Sequence, residues 1–141
     1  MILVDTSVWV DHLRAGDVTL TGLLEDGEVL VHPFVIGELA LGDLRRRDDI
    51  LDMLAGMPQA EVATDPEVLQ FIHRHALFAL GIGYVDAHLL AAARLTSGAA
   101  IWTRDRRLSA AADRLGLAMP PAGPDVNEVH EPSHADLGWP K

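Results

Sequence analysis

The sequence contains no cysteine, which excludes a disulfide framework, a thiolate metal site and a thiol nucleophile. It has a single lysine, Lys141, so arginine carries nearly all of the positive charge. No apolar run approaches the ~20 residues that a membrane span requires. The opening Met1-Ile2-Leu3-Val4-Asp5 has no basic lead and no small-residue cleavage site. A secretory leader is therefore not expected, and the reading is of a cytoplasmic protein with no membrane contact, its fold beginning at Met1. There is no internal repeat and no low-complexity tract.

What is present is a chain of 141 residues, 49% of them hydrophobic. That length suits one domain with one core, and the apolar content is too high for a disordered chain. Acids outnumber bases by 21 to 11, giving a net charge of −10. Such a balance sits awkwardly with nucleic-acid binding, which leaves a basic footprint. A carboxylate cluster that gathers cations would reverse its local charge on binding them. The bases are also grouped, as Arg45-Arg46-Arg47 and as Arg104, Arg106 and Arg107. An acidic chain would equally suit a basic protein partner.

Ile2-Leu3-Val4 is apolar without alternation, the pattern of a strand covered on both faces. Asp5-Thr6-Ser7 offers cap residues to a helix over 8–14, and a second helix is expected over 20–25. Residues 28–31 read as a strand, and Pro33 suits the first turn of a helix running to about Leu44. Residues 48–54 continue it, and 61–63 form a weak strand candidate. Asp65-Pro66-Glu67 opens a helix through about Leu80, ended by Gly81 and Gly83. Residues 84–95 are apolar, alanine-rich and read as a buried helix. A strand over 99–103 and a helix over 106–115 follow, with 117–119 as a possible edge strand. Strands alternating with helices imply an α/β fold, a central parallel β-sheet flanked by α-helices. The domain is expected over 1–119, with 120–141 a poorly ordered tail rich in Pro, His and acids.

In open α/β sheets ligands bind beyond the carboxyl ends of the strands. Asp5 and Asp105 follow two such strands, and Asp86 opens a helix after Gly81-Ile82-Gly83. Glu38 interrupts an apolar helical run, where an unpaired charge is costly. Each has a plain alternative: Asp5, Asp86 and Asp105 could cap helices, and Glu38 could lie on a solvated stripe. Capping leaves the combination unexplained, because converging carboxylates repel unless protonated or bound to metal. Oxygen donors without sulfur point to Mg²⁺ or Mn²⁺.

Four segments then carry a resemblance: Leu3-Val4-Asp5-Thr6-Ser7-Val8-Trp9, Gly37-Glu38-Leu39, Gly83-Tyr84-Val85-Asp86-Ala87-His88-Leu89-Leu90-Ala91, and Trp102-Thr103-Arg104-Asp105-Arg106-Arg107-Leu108. In order and spacing, from Met1 to about Leu117, they resemble the motif blocks of PIN-domain nucleases, the VapC toxins of toxin–antitoxin pairs in particular. The resemblance implies Asp5, Glu38, Asp86 and Asp105 as the acidic quartet of a Mg²⁺-dependent (or Mn²⁺-dependent) endoribonuclease cutting structured RNA. Thr103 matches a hydroxyl position beside the metal, and Thr6, Ser7 and Arg104 are candidate substrate contacts. The resemblance further implies a cognate VapB-like antitoxin and a homodimer. The alternative is a catalytically silent PIN-fold module that binds protein or RNA.

Other readings fit less well. His130-Glu131-Pro132-Ser133-His134 matches the H-E-x-x-H zinc protease pattern, but Pro132 lies between the histidines and would break the helix they need. A phosphatase of the HAD type needs a second Asp where Ser7 stands, and a receiver domain needs an internal lysine. Arg45-Arg46-Arg47 suits an RNA phosphate or a plain solvated face, and one of Arg106 and Arg107 could pair with an acid. Trp9 and Trp102 have the apolar neighbours of core residues. His73, His75 and His88 read as structural.

Overall fold

The computed structural model describes residues 1–120, so the expected tail beyond Pro120 and its H-E-x-x-H match lie outside the described residues. Three strands, β1 (Ile2–Val4), β2 (Val29–Leu30) and β3 (Ala100–Trp102), form a parallel sheet in the order β2-β1-β3. Ile2 and Leu3 pair with Val29 and Leu30 on one side, and Ile2, Leu3 and Val4 with Ala100, Ile101 and Trp102 on the other. As the central strand, β1 is buried at every residue, which explains its unbroken apolar run. Single parallel bridges widen the sheet, Val31 to Gln59 and Ile101 to Ala118. The second supports the expected edge pairing near 117–119. The first corrects the expected strand over 61–63: Gln59 makes the pairing, and residues 61–63 form no strand.

Helices α1 (Thr6–Ala15) and α2 (Val18–Glu25) lead from β1 to β2. Helices α3 (Pro33–Ala40), α4 (Arg47–Ala55), α5 (Asp65–Arg74) and α6 (Tyr84–Leu95) lead from β2 to β3, and α7 (Arg106–Leu115) follows. The two crossovers place their strands on opposite sides of β1. That makes the carboxyl end of β1 the switch point of the sheet, where a crevice opens. Residues Ala87 to Ala93 of α6 are all buried. Of these, Leu89, Leu90, Ala92 and Ala93 join Leu3, Trp9, Leu20, Leu39, Ile101 and Leu108 in the main core, and Ala87 and Ala91 pack with Ala63 and Val68 in a smaller cluster, each large apolar side chain contributing about 1.5–3 kcal/mol of burial. Among the described residues no helix is long and apolar enough to cross a membrane.

Two helices stop short of their expected ends, and at each an arginine side chain binds main-chain carbonyls. Helix α3 ends at Ala40, whose carbonyl accepts from Arg47 Nη2 at 3.0 Å. Helix α5 ends at Arg74, and Arg114 Nη2 binds the carbonyls of His75 and Ala76 at 2.6 and 3.2 Å. Ala76 turns left-handed there, with φ +51°, and Leu77 drops into the core.

Candidate metal centre at the carboxyl ends of β1 and β3

Asp5 follows β1 directly, and its N–H donates to the Trp102 carbonyl at 2.9 Å, so the ends of the two paired strands are locked side by side. It stands at the cap position of α1, yet its side chain makes no capping hydrogen bond. Instead Oδ2 accepts from Ser7 Oγ at 2.8 Å and from Thr103 Oγ1 at 2.7 Å. Each hydroxyl is itself aimed by a backbone N–H, Arg104 to Ser7 Oγ and Asp105 to Thr103 Oγ1, both at 3.0 Å. The carboxylate is 7% exposed and rigidly oriented. Capping therefore does not account for Asp5.

The other acids arrive from different elements. Asp105 caps α7, its Oδ1 accepting from the N–H groups of Arg107 and Leu108 at 2.9 and 3.0 Å. Asp86, in the first turn of α6, accepts from the Gly83 N–H at 3.2 Å through Oδ2. Glu38 comes from α3, which packs on α1, and Thr6 Oγ1 donates to its Oε1 at 2.5 Å. Among the described residues each of the four carboxylates thus has one oxygen engaged and the other without a hydrogen bond.

The four influence one another. Burial pushes the Asp86 carboxyl above the ordinary range, and the charges of Asp5, Asp105 and Glu38 push it further, against the lowering effect of the Gly83 N–H. Three acids that repel a fourth would be relieved by a cation held among them. The donors are all carboxylate oxygens, which suits Mg²⁺ or Mn²⁺. Among the described residues no three acids or histidines already close into a metal cage. Mg²⁺ does not require one, because it keeps several waters and takes one or two carboxylates directly. The residues fit such an ion.

Residues 2–114 match the PIN domain family. The chain belongs to the PIN-domain family. It is 52% identical over 119 residues to ribonuclease VapC32 of Mycobacterium tuberculosis strain CDC 1551 / Oshkosh, an overlap covering 84% of this chain and 96% of that protein. The figures are the same for ribonuclease VapC32 of strain H37Rv. The parallel three-stranded sheet with its flanking helices agrees with a PIN domain.

Within this PIN domain the remaining predicted site residues take supporting positions. Thr6 and Ser7 direct their hydroxyls at Glu38 and Asp5. Arg104 turns away from the acids: Nε meets Asp11 Oδ2 and Nη2 meets Asp17 Oδ2, both at 2.7 Å, with the guanidinium 5.6 Å from the centre of the Trp102 ring. Burial alone would raise the Asp17 carboxyl, but the Leu20 N–H and the hydrogen bond and charge of Arg104 hold it below the ordinary value. Asp11 and Asp17 carried no local sequence signal for this role, since their partner lies about 90 residues away along the chain. In the arginine run, Arg46 pairs with Asp49 and Arg47 holds Ala40, while Arg45 lines a groove beside Glu38. Trp9 is fully buried, as expected of a core residue.

Proposed function

We propose that this PIN domain is a Mg²⁺-dependent endoribonuclease that hydrolyses phosphodiester bonds of structured RNA, the toxin of a VapBC-type pair. The observation that carries the reading is the oriented Asp5 carboxylate, held by Ser7 and Thr103, which together with Asp105 and Glu38 presses on Asp86. The relatives named ribonucleases support it. Mn²⁺ would suit the same oxygens. A bound cation supplies a Lewis acid for the phosphate and lowers the pKa of water at the site. Asp5, Asp86 and Asp105 would hold it at the strand ends. Glu38, steadied by Thr6, keeps one oxygen without a hydrogen bond, which could add a ligand bond or orient the attacking water. Arg104 fixes the loop after β3 to α1 and to the start of α2.

Cleavage of a panel of structured RNAs by the purified, partner-free chain is expected with Mg²⁺ and lost with EDTA. Absence of cleavage with either Mg²⁺ or Mn²⁺ would favour the silent binding module. Thr103→Val keeps the shape of the side chain but removes both the donor to Asp5 and the acceptor for the Asp105 N–H. A lost ligand-orienting partner costs about 10–100-fold in metal affinity or activity. The Mg²⁺ concentration for half-maximal cleavage should rise accordingly, and an unchanged Mg²⁺ dependence would remove Thr103 from the site.

An antitoxin partner belongs to the same reading, as do a homodimer and a cytoplasmic setting. A groove of about 490 Å³ runs beside Glu38, lined by Val10, Leu13, Leu39, Leu44 and Ile50, with Arg14 and Arg45 among its polar residues. Its shape and apolar lining suit the apolar face of a partner helix or arm. Such a segment would end next to Glu38 and block the site by occupancy.

A further inference from the structure

Arg107 stands in the first turn of α7, two residues after Asp105, and its N–H is held by Asp105 Oδ1. Its side chain does not run free into solvent. A Cβ placed on Gly81 would lie 2.7 Å from Arg107 Nη1, 2.9 Å from Cδ and 3.2 Å from Cζ, so stem and guanidinium rest on the bare backbone of that glycine. Gly81 has φ +79° and opens the short loop to Gly83, whose N–H binds Asp86. One arginine therefore spans the loops that deliver Asp105 and Asp86.

Among the described residues this guanidinium has no carboxylate partner, in a chain of 21 acids. Arg14, Arg46 and Arg104 pair with aspartates, and Arg47, Arg94 and Arg114 bind main-chain carbonyls. Arg45, Arg74 and Arg106 also lack a partner; what distinguishes Arg107 is its seat. Gly81 supplies the only kind of surface on which the flat group can lie there, because any side chain would occupy the same space.

We propose that Arg107, seated on Gly81, is the site's RNA-phosphate clamp: it grips a backbone phosphate flanking the scissile bond and sets the register of the strand over the carboxylates. The inference rests on the ribonuclease reading. A guanidinium offers paired N–H donors that match phosphate oxygens. Beside a cluster of acids a fixed cation has a use of its own, since a metal held by the carboxylates would offset the scissile phosphate and leave the next one along unbalanced.

The test uses the whole chain and a fluorophore-labelled stem–loop RNA chosen because the unmodified chain cleaves it with Mg²⁺. Binding is measured in an Asp5→Asn background, so that no RNA is cut. Arg107→Ala is expected to weaken binding about tenfold near 0.1 M salt and to flatten the plot of log Kd against log salt by about 1. With Asp5 intact, KM should rise by the same factor while kcat changes less than about threefold. Arg107→Lys should restore the salt slope, though not the full affinity, because an ammonium keeps the charge without the fork. Gly81→Ala should weaken binding as Arg107→Ala does, and should add nothing in the Arg107→Ala chain. Circular dichroism of each variant confirms that it is folded at the assay temperature, since alanine at φ +79° is strained. Unchanged binding and salt slope in Arg107→Ala would overturn the clamp while leaving the nuclease in place. A loss confined to kcat with the slope unchanged would overturn it too, making Arg107 a brace for the loop. If the unmodified chain cleaves no RNA at all, the ribonuclease reading falls and the clamp with it.

Discussion

Replacing Asp5 by Asn should lower RNA cleavage at saturating Mg²⁺ by about a thousandfold and leave the fold intact. The substitution is nearly isosteric. An amide oxygen in place of Oδ2 can still accept from Ser7 Oγ and Thr103 Oγ1, so the frame that aims the side chain survives. What changes is the other atom. An NH₂ group replaces the oxygen that has no partner, and it cannot ligate a cation. A Lewis acid at a phosphoryl group contributes several kcal/mol, and about 4 kcal/mol is a thousandfold in rate at 1.36 kcal/mol per decade. The same substitution removes one of the charges that press on Asp86. The metal-free variant should therefore melt no lower than the parent, and its melting temperature should lose most of the rise that Mg²⁺ gives the parent. Cleavage within tenfold of the parent would displace Asp5 from the centre of the mechanism.

Much of this was legible in the sequence because strand ends are. Asp5 after Ile2-Leu3-Val4 and Asp105 after Ala100-Ile101-Trp102 each follow an unbroken apolar run, and the rule for open parallel sheets places both at one rim. Which strand lies beside which is a matter of topology, and only the pairing of β1 with β3 brings Thr103 to Asp5. Glu38 was conspicuous as an acid in apolar company, and the structure answers with Thr6 from the neighbouring helix. The plain alternative of helix capping proves true in part for Asp105 and Asp86, which cap with one oxygen and face the cluster as well. The failures have two causes. Arg47 binds the last carbonyl of α3, Arg114 binds carbonyls just beyond α5, and Arg104 is held by Asp11 and Asp17. Long side chains from elsewhere in the chain leave no trace in local periodicity. The strand expected over 61–63 fails for the second reason, since its β-propensity is outweighed by Val31 pairing with Gln59.

The charge of −10 also reads differently once the residues are placed. Four of the 21 acids meet where a cation would offset them, and much of the positive charge is committed to structure. Arg46, Arg47, Arg94, Arg104 and Arg114 all hold helix ends or loops. Few bases remain to meet RNA, so each one left unpaired near the acids matters more than it would on a basic protein.

Acid should destabilise the chain well above the pH at which its surface carboxylates titrate, and His32 should be the largest single cause. The ring is fully buried at the start of α3, where Nδ1 accepts from the Phe34 N–H at 3.0 Å. That bond fixes the proton on Nε2, which has no partner among the described residues. Protonation would place a second N–H against the one from Phe34, and a charge in the core 6.4 Å from the His88 ring. Burial first, then the charge of His88, lowers the His32 pKa from 6.5 to about 4. The unfolded chain takes up this proton below about pH 6.5 and the folded chain refuses it until about pH 4. The His32 contribution to stability is therefore complete above pH 6.5 and lost as the pH falls toward 4, at about 1.4 kcal/mol per pH unit, or about 3 kcal/mol in all. That is a large share of the 5–15 kcal/mol typical of a domain, which is about the usual range. Asp65, lowered by its hydrogen bonds from Tyr84 and His88, loses its contribution below 3.8, outside this window. Asp86 runs the other way, since its raised pKa lets the folded state accept a proton earlier. His32→Asn separates these effects, because asparagine keeps an acceptor for the cap and has nothing to titrate. Urea unfolding at pH 7.0 and pH 4.5 should show a fall in stability about 2–3 kcal/mol smaller in His32→Asn than in the parent, whatever the absolute cost of the smaller side chain. Asp65 and Asp86 are common to both chains and cancel in that difference. Parallel losses in the two would mean that the His32 ring accepts its proton in the fold as readily as in water.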